Sequence, residues 1–330
     1  MTKALLRVRN LRVEFPTRRG TLVAVDDVSF DIMPGEVLGV VGESGAGKSL
    51  TGTAIIGLLE PPGRIGAGEI CLNGERIDDL PPGRLRRIRG RRIGMVFQDP
   101  LTSLNPLYRI GDQLIETILT HANMDAPAAR RRAIALLAEV GIPAPDARID
   151  NYPHQFSGGM RQRVVLALAL AANPELIIAD EPTTALDVSV QAQIIALLKR
   201  LCRDHGTAIM LITHDMGVIA ETADRVAVMY AGRIVEIGAV RDVVKSPLHP
   251  YTIGLMGSIP KPAADTTRLI QIPGAMPRLT AIPAGCAFHP RCPRAFAPCP
   301  SRRPSLKPHA NGEVACWLFE PVAQGAEADP

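Results

Sequence analysis

Residues 42–49, with the sequence GESGAGKS, constrain this chain more than any other stretch. They match the pattern G-x-x-x-x-G-K-[ST] of a phosphate-binding loop at every fixed position. Glycines let backbone N–H groups turn inward around a polyphosphate, Lys48 adds a positive charge, and the Ser49 hydroxyl is a ligand for Mg²⁺. An apolar run at 36–41 precedes the loop, and residues 48–59 fit a helix whose N-terminus would point at the phosphates. Because strand, loop and helix occur in the right order, a chance glycine-rich turn is the weaker interpretation.

The composition is that of an ordinary globular chain. Of its 330 residues, 46% are hydrophobic and 21% are charged, and the net charge of +4 gives no argument for a nucleic-acid partner. The longest clean apolar run, residues 164–172, has nine residues, whereas a membrane-spanning helix needs about 20. The N-terminal MTKALLRVRN lacks the apolar stretch of a signal peptide. We therefore expect a protein that is cytoplasmic or bound to a membrane surface from that side.

Strand-like and helix-like patterns alternate along the chain, which predicts an α/β fold with a parallel sheet and helices on both faces. The predicted strands are residues 6–15 with a bulge at Asn10, 21–25, 28–32, 69–72, 93–97, 176–179 and 208–213, with a hairpin of 226–230 and 234–237. The predicted helices are residues 110–121, 127–140, 161–172, 189–203 and 216–222. The first strands form a β-rich region before the loop, and the helical block at about 100–172 interrupts the alternation like an inserted subdomain.

The composition changes near Ser246 and Pro247. From there on the chain holds 15 of its 29 prolines, and hydrophobic periodicity fades. We therefore divide the chain into a nucleotide-binding domain, residues 1–246, and a loop-rich extension, residues 247–330, of which 322–330 is predicted to be disordered.

Two carboxylates, Asp180 and Glu181, follow the apolar run at 176–179. An acid at the carboxyl end of a strand beside a phosphate-binding loop can hold Mg²⁺. Glu181 is then placed to take a proton from an attacking water, although a helix-capping or solvated carboxylate is the bland alternative.

A second phosphate-binding feature is the helix start at Ser157-Gly158-Gly159. A serine and two glycines there leave several backbone N–H groups available for an anion. Taken alone, this stretch is better interpreted as a plain N-cap.

The motifs are more specific in combination than each is alone. The phosphate-binding loop, Gln98, the Ser157 helix start, Asp180-Glu181 and Thr213-His214-Asp215 occur in an order and spacing that resemble the ATP-binding subunits of ABC transporters, over about residues 5–250. The resemblance implies a P-loop NTPase (RecA-like) core with an N-terminal antiparallel β subdomain, an inserted helical subdomain and, in this chain, a cysteine-bearing C-terminal extension.

The resemblance also implies roles for individual residues. Catalysis would involve Glu181, His214 and Gln98, and Mg²⁺ would be held by Ser49, Gln98 and Asp180. The implied nucleotide contacts within the chain are Phe15 on the adenine, Gly42, Glu43, Ser44, Gly45, Ala46, Gly47, Lys48, Ser49, Leu50, Gln98 and Asp180. Ser157, Gly158, Gly159 and Asp187 would act on an ATP held mainly by a second subunit. For Phe15, core packing is an equal alternative from the pattern alone.

Three segments resemble one branch of that family, the oligopeptide and dipeptide importers: residues 156–164 (FSGGMRQRV), 185–194 (ALDVSVQAQI) and 249–252 (HPYT). The resemblance implies a subunit at the cytoplasmic face of the membrane that powers peptide uptake. Its partners would be a second ATPase subunit, identical or related, two transmembrane permease subunits and an extracytoplasmic substrate-binding protein. Import of nickel or another small solute is the alternative within the branch.

Other ATPase classes fit less well. Chromosome-maintenance ATPases insert a long coiled coil between the motifs, and this chain has no sustained heptads. Ribosome-associated members carry two motif sets, and this chain has one. Intact Lys48, Asp180, Glu181 and His214 argue against a subunit that does not hydrolyse ATP.

Four of the six cysteines lie close together in the extension: Cys286, Cys292, Cys299 and Cys316. A reducing cytoplasm argues against disulfides. Zinc is a strong alternative, yet its ligands usually come in close pairs. The wide spacing and the Cys292-Pro293 step favour an iron–sulfur cluster, [4Fe–4S], and similar extensions in the peptide-importer branch are reported to hold one. We expect a structural role for this site.

Overall fold

The computed structural model of the chain describes residues 3–183, 187–258 and 271–320, without the side chains of residues 100, 101 and 188. Its strands are β1 (Leu6–Thr17), β2 (Gly20–Ile32), β3 (Val37–Val41), β4 (Arg64–Leu72), β5 (Glu75–Arg76), β6 (Ile93–Val96), β7 (Leu176–Asp180), β8 (Ala208–Thr213), β9 (Arg225–Tyr230), β10 (Arg233–Ala239), β11 (Lys307–His309) and β12 (Gly312–Val314). Its helices are α1 (Lys48–Ile55), α2 (Pro82–Ile88), α3 (Pro100–Ser103), α4 (Ile110–His121), α5 (Ala126–Glu139), α6 (Pro145–Arg148), α7 (Gly158–Leu170), α8 (Val188–His205), α9 (Met216–Thr222), α10 (Val240–Lys245), α11 (Pro250–Gly257) and α12 (Pro298–Ser301).

The central sheet has the strand order β11-β12-β10-β9-β3-β8-β7-β6. Strands β9, β3, β8, β7 and β6 run parallel to one another, whereas β10 pairs antiparallel with β9. Every residue of β3, β7 and β8 is buried, as expected where helices cover both faces of a parallel sheet. Along β3, Val37 and Val41 join one apolar core while Leu38 and Val40 join the other. The predicted α/β fold class is confirmed.

An antiparallel sheet, ordered β2-β1-β4-β5, lies against the second core. The sequence predicted two strands at 21–25 and 28–32, and this is wrong because β2 runs through both. Asp27 adopts φ +61° and Asn10, on β1, adopts φ +48°. The Asn10 amide donates to the Asp27 carboxylate at 2.7 Å, and the pairing of β1 with β2 shifts register there. The bulge that the sequence predicted at Asn10 is therefore present. The contact between Asn10 and Asp27 accommodates it, and both β1 and β2 continue past it.

Helices α4 to α7 form the helical block that the sequence predicted. The apolar face of α4 is buried through Ile110, Leu114 and Ile118, which follows the predicted helical spacing. Asp125 caps α5 by accepting from the Ala128 N–H at 2.8 Å. The helix after the loop is shorter than predicted, since α1 ends at Ile55 and not at 59. Helix α7 begins at Gly158, earlier than the predicted residue 161, because the Ser157 hydroxyl caps it.

The extension is packed into the rest of the molecule. Its hairpin β11–β12 pairs with β10 and so continues the central sheet, with Val314 opposite Glu236. The buried rings of Tyr251 and Phe288 pack 5.4 Å apart. The sequence predicted a loop-rich extension and missed this hairpin. The domain boundary at residues 246 and 247 stays a prediction. Residues 322–330, which the sequence predicted to be disordered, lie outside the described part. Within that part, no helix is both long and apolar enough to cross a membrane.

Candidate functional site

The candidate site lies at the carboxyl edge of the central sheet. Parallel strands bring their carboxyl ends to one edge, so the segments after β3, β6, β7 and β8 meet there. These segments carry the phosphate-binding loop, Gln98, Glu181 and His214. The sequence supplies each motif locally, and the strand order makes them neighbours.

The glycines of the loop are required by its backbone. Gly45 and Gly47 have φ of +83° and +98°, and Gly47 is the N-cap of α1. A Cβ at Gly42 would lie 2.3 Å from the carbonyl oxygen of Met229. Residues with side chains are therefore excluded at Gly42 by contact and disfavoured at Gly45 and Gly47 by conformation.

Lys48 is buried beneath the loop. Its Nζ donates to the carbonyl oxygens of Gly42, at 2.8 Å, and Glu43, at 3.1 Å. Burial lowers the pKa of Lys48, while the charges of Glu181, Asp180 and Glu43 act in the opposite direction. A cation held in this way is ready to neutralise phosphate oxygens.

Ser49 and Asp180 lie together below the loop. The Ser49 hydroxyl donates to Asp180 Oδ1 at 2.9 Å. Asp180 is buried, and desolvation raises its pKa, against the hydrogen bond from Ser49 and the charge of Lys48. Paired hydroxyl and carboxylate oxygens are the ligand type that Mg²⁺ takes, with the remaining positions left to phosphate and water.

Glu181 lies between two polar side chains. Its Oε2 accepts from Gln98 Nε2 at 3.1 Å, and its Oε1 lies 3.3 Å from His214 Nδ1. Its backbone has φ +45° and its N–H donates to the carbonyl of Ile212 at 2.9 Å. The carboxylate is therefore held at the end of β7 by groups from two neighbouring strands.

A cleft of about 450 Å³ opens over the loop. It is lined by Ala24, residues 44–50, Gln98, Glu181, Met276, Pro277, Arg278 and Leu279. Phe15, predicted to stack on adenine, is half-buried and packs next to Gly63, outside the residues that line this cleft.

The Ser157 helix start is also outside the cleft. The Ser157 hydroxyl accepts from the Met160 N–H at 3.3 Å, so the predicted N-cap is present. A Cβ at Gly159 would lie 2.8 Å from Val190 of α8, and Asp187 caps α8 by accepting from the Val190 N–H at 3.0 Å. The fold thus brings Ser157, Gly158, Gly159 and Asp187 to one exposed surface, apart from the loop of the same chain.

Sequence reasoning missed the contribution of the extension to the cleft. Met276 through Leu279 line it, and two further residues, Tyr251 and Arg291, contact Glu43 of the loop. The HPYT segment indicated the peptide-importer branch, but no local pattern indicated that its tyrosine, Tyr251, contacts the phosphate-binding loop.

The four cysteines of the extension line one small apolar cavity. All six cysteines of the chain are free thiols. Burial raises the pKa of Cys286 to about 11 and also raises the pKa of Cys292 and of Cys316. In the described part of the chain, no group of three or more His, Cys, Asp or Glu side chains is arranged to hold a metal ion.

Two family models match the sequence. Residues 25–184 match the model described as ABC transporter, and residues 235–299 match the model described as oligopeptide/dipeptide transporter, C-terminal region. The first match covers the loop, Gln98, Ser157 and Asp180-Glu181, and the second covers the HPYT segment and three of the four clustered cysteines.

Similar proteins extend over nearly the whole chain. It is 49% identical to the oligopeptide transport ATP-binding protein OppD of Escherichia coli (strain K12), over 97% of this chain and 94% of the relative. It is 47% identical to the dipeptide transport ATP-binding protein DppD of Bacillus subtilis (strain 168), over 98% and 97%. A solved dimeric ATP-binding cassette in a post-hydrolysis state with ADP and Pi has a TM-score of 0.64 and 29% identity, covering 72% of this chain and 99% of that one. A Clostridium perfringens protein from the ABC transporter complex cbiONQ gives 0.63 and 28%, covering 74% and 91%.

Proposed function

Because this chain belongs to the ATP-binding proteins of ABC transporters, in the oligopeptide and dipeptide transport branch, we propose that it hydrolyses ATP to power peptide import. The observation that carries the proposal is the loop with buried Lys48, set beside Asp180 and Glu181 at one sheet edge. The relatives named for oligopeptide and dipeptide transport match the extension as well as the cassette.

In the proposed mechanism, the loop first binds the triphosphate of ATP. The N–H groups between Gly42 and Ser49 surround the phosphates, and Lys48 neutralises the β- and γ-phosphate oxygens. Lys48 already lies under the loop through its contacts with Gly42 and Glu43. Its charge is therefore positioned before ATP arrives, which lowers the reorganisation needed on binding.

Mg²⁺ fits this site because the Ser49 hydroxyl and the Asp180 carboxylate are adjacent oxygen ligands. Ser49 and Asp180, with Gln98 from the neighbouring strand end, would hold it. When bound, the ion supplies positive charge to the phosphates as the γ-phosphoryl group leaves.

Glu181 then orients and deprotonates the attacking water. The contacts of its carboxylate with Gln98 and His214 support this role, since they fix the carboxylate beside the cleft. His214 would contact the γ-phosphate once ATP is bound, and Gln98 would link the site to the membrane subunits.

Hydrolysis requires a second ATPase subunit, identical or related. Ser157, Gly158, Gly159 and Asp187 lie on one exposed surface, outside the cleft of their own chain. In the assembled pair this surface would close over the γ-phosphate at the partner's loop. Closing and opening of the pair would switch two permease subunits between their two states.

We place the protein at the cytoplasmic face of the cell membrane. It would bind two transmembrane permease subunits, and an extracytoplasmic binding protein would deliver the peptide. No nucleic acid is part of this function. The match of residues 235–299 to the oligopeptide/dipeptide C-terminal region supports the peptide as solute.

The cysteine cluster belongs to the proposal as a [4Fe–4S] site held by Cys286, Cys292, Cys299 and Cys316. Four free thiols around one cavity support it. Zinc, for which four thiolates are also suitable ligands, is the alternative occupant of this site. A cluster spreads its ligands over a larger volume and supplies free energy that orders a proline-rich segment.

The test of function is reconstitution with the membrane partners. Co-purification of the tagged chain followed by mass spectrometry identifies them, and the complex in proteoliposomes is assayed for uptake of labelled di- and oligopeptides. We expect uptake that requires MgATP and is lost with Lys48→Ala. Hydrolysis of MgATP without peptide uptake by the complete complex would refute the solute assignment but leave the ATPase assignment intact.

A further inference from the structure

The phosphate-binding loop is held from the far end of the chain. The backbone N–H of Glu43, the second residue of the loop, donates to the hydroxyl of Tyr251 at 2.8 Å. The Glu43 carboxylate Oε2 accepts from Arg291 Nη1 at 2.9 Å. Both partners belong to the extension, and they are 208 and 248 residues away from Glu43 in sequence.

Arg291 is placed to fix more than one segment. Only 8% of its side chain is exposed. Its Nε donates to the carbonyl oxygen of Pro273 at 2.7 Å, and its guanidinium lies 5.8 Å from the ring centre of Tyr230 and 5.9 Å from that of Phe288. A planar guanidinium with several fixed donors holds its partners in one geometry, which a flexible lysine does not.

The side chain of Tyr251, like that of Arg291, is held in place by several contacts. It is fully buried, and its ring packs 4.7 Å from Tyr230. Its N–H donates to His249 Nδ1 at 3.0 Å, and the His249 N–H donates to the buried Glu236 carboxylate at 2.8 Å. The HPYT segment therefore directs one tyrosine hydroxyl to the loop.

The segment that Arg291 fixes continues into the cleft. Arg291 binds the Pro273 carbonyl, and Met276 through Leu279 line the cleft a few residues later. Met276 Cγ lies 3.9 Å from the position of a Cβ at Gly45. The extension thus touches the nucleotide site at the loop backbone, at the Glu43 carboxylate and along one wall.

The charge of Glu43 makes the Arg291 contact important. The carboxylate lies near Lys48, whose pKa it affects. Its other oxygen, Oε1, is buried and has no hydrogen-bond partner within the described residues. Without Arg291, an unpaired negative charge would remain beside a site for a polyphosphate, and it would compete for Lys48.

We propose that Arg291 and Tyr251 are positioning residues of the nucleotide site, through which the cysteine-bearing extension holds the phosphate-binding loop ready for MgATP. Arg291 neutralises the Glu43 carboxylate and keeps it away from the phosphates. Tyr251 fixes the loop backbone at Glu43. Nucleotide affinity is therefore a property of the cassette together with its extension. This inference rests on the ATP binding proposed above.

The test measures MgATP binding to the purified full-length chain by calorimetry, with thermal unfolding of the nucleotide-free protein as a folding control. Arg291→Met and Tyr251→Phe should each raise the Kd for MgATP about tenfold, the equivalent of one hydrogen bond of about 1.4 kcal/mol. Arg294→Met is the matched control, since Arg294 is exposed and lies three residues further along the same loop. It should leave the Kd unchanged.

The double variant Glu43→Gln with Arg291→Met gives the decisive readout. If Arg291 acts by neutralising Glu43, removing the carboxylate restores much of the lost affinity, so the double variant binds MgATP more tightly than Arg291→Met. A merely structural role of Arg291 gives no such recovery. If Arg291→Met fails to fold, the Kd of Tyr251→Phe decides the test, because this variant keeps the buried ring and loses only the hydroxyl that contacts Glu43.

Two results overturn the proposal. The first is a Kd for Arg291→Met and Tyr251→Phe within twofold of the Arg294→Met control. The second is a double variant that binds no better than Arg291→Met. Failure of the wild-type chain to bind MgATP would instead overturn the ATP-binding function on which the proposal rests.

Discussion

Replacement of Glu181 by glutamine tests the chemistry of the site most directly. The two side chains have the same shape, and glutamine keeps one oxygen that can accept a hydrogen bond. The contacts at 3.1 Å with Gln98 and at 3.3 Å with His214 can therefore be largely retained by rotation of the amides. We expect little change in folding, so an effect on turnover reports the lost base.

The structure also fixes the expected direction for binding. Burial lowers the pKa of Lys48, and the negative charge of Glu181 has the largest effect in the opposite direction. The carboxylate and the ammonium therefore interact. Glutamine removes a negative charge near the phosphates. MgATP should then bind at least as tightly as to the wild type. Turnover should fall by about 100- to 10,000-fold, or roughly 3–5 kcal/mol in the activation free energy, which is the usual contribution of a general base.

The assay is phosphate release by the complete complex, with the Kd for MgATP measured separately on the same preparation. Glu175→Gln is the matched control, since Glu175 forms an ion pair with Arg92 at 2.7 Å and does not line the cleft. Full turnover in Glu181→Gln would remove Glu181 from the mechanism. An equal loss of binding and turnover would show that Glu181 acts on the fold of the site and not as a base.

Three further predictions concern other parts of the chain. Ser157→Arg should abolish hydrolysis at the partner's loop while MgATP still binds the loop of the same chain; a strictly monomeric protein that hydrolyses ATP at the full rate of the complex would contradict the shared site. Gly42→Ala should destroy MgATP binding, measured by calorimetry, because the Cβ would lie 2.3 Å from the Met229 carbonyl oxygen, and unchanged affinity would refute this. Burial raises the pKa of Cys202 from 9.0 to about 12, so the unfolded chain loses the proton first as pH rises. The free energy of unfolding should then fall above pH 9, by up to about 1.4 kcal/mol per pH unit, and denaturant unfolding of Cys202→Ala should lack this component of the slope.

Much of the fold follows from local patterns. The buried strand β3, the loop and helix α1 were predictable because the glycine positions, the apolar run and the helix start act within a few residues of each other. Helix α9 and strand β8 have the bounds that the sequence predicted, since Asp215 between them caps α9 with its own carboxylate. Such short-range signals do not depend on the rest of the chain.

The errors come from contacts between segments that are distant in sequence. Asp27 resembles a turn residue, yet its bond with Asn10 across the sheet lets β2 continue through it. The hairpin β11–β12 lacks a strong strand pattern, and it forms because β10 offers an edge with which it can pair. Whether such a strand forms depends on the strand with which it pairs, and the sequence of one strand does not identify that partner.

For the site, the sequence by itself determined the reacting groups: the loop with Lys48 and Ser49, and the carboxylates Asp180 and Glu181. Their types and their places at strand ends are local properties. Only the tertiary structure decided that Tyr251 and Arg291 hold Glu43 and that Met276 lines the cleft. These contacts join segments more than 200 residues apart in sequence. They exist because the aromatic residues of the extension pack against the end of β9, and no spacing in the sequence encodes that packing.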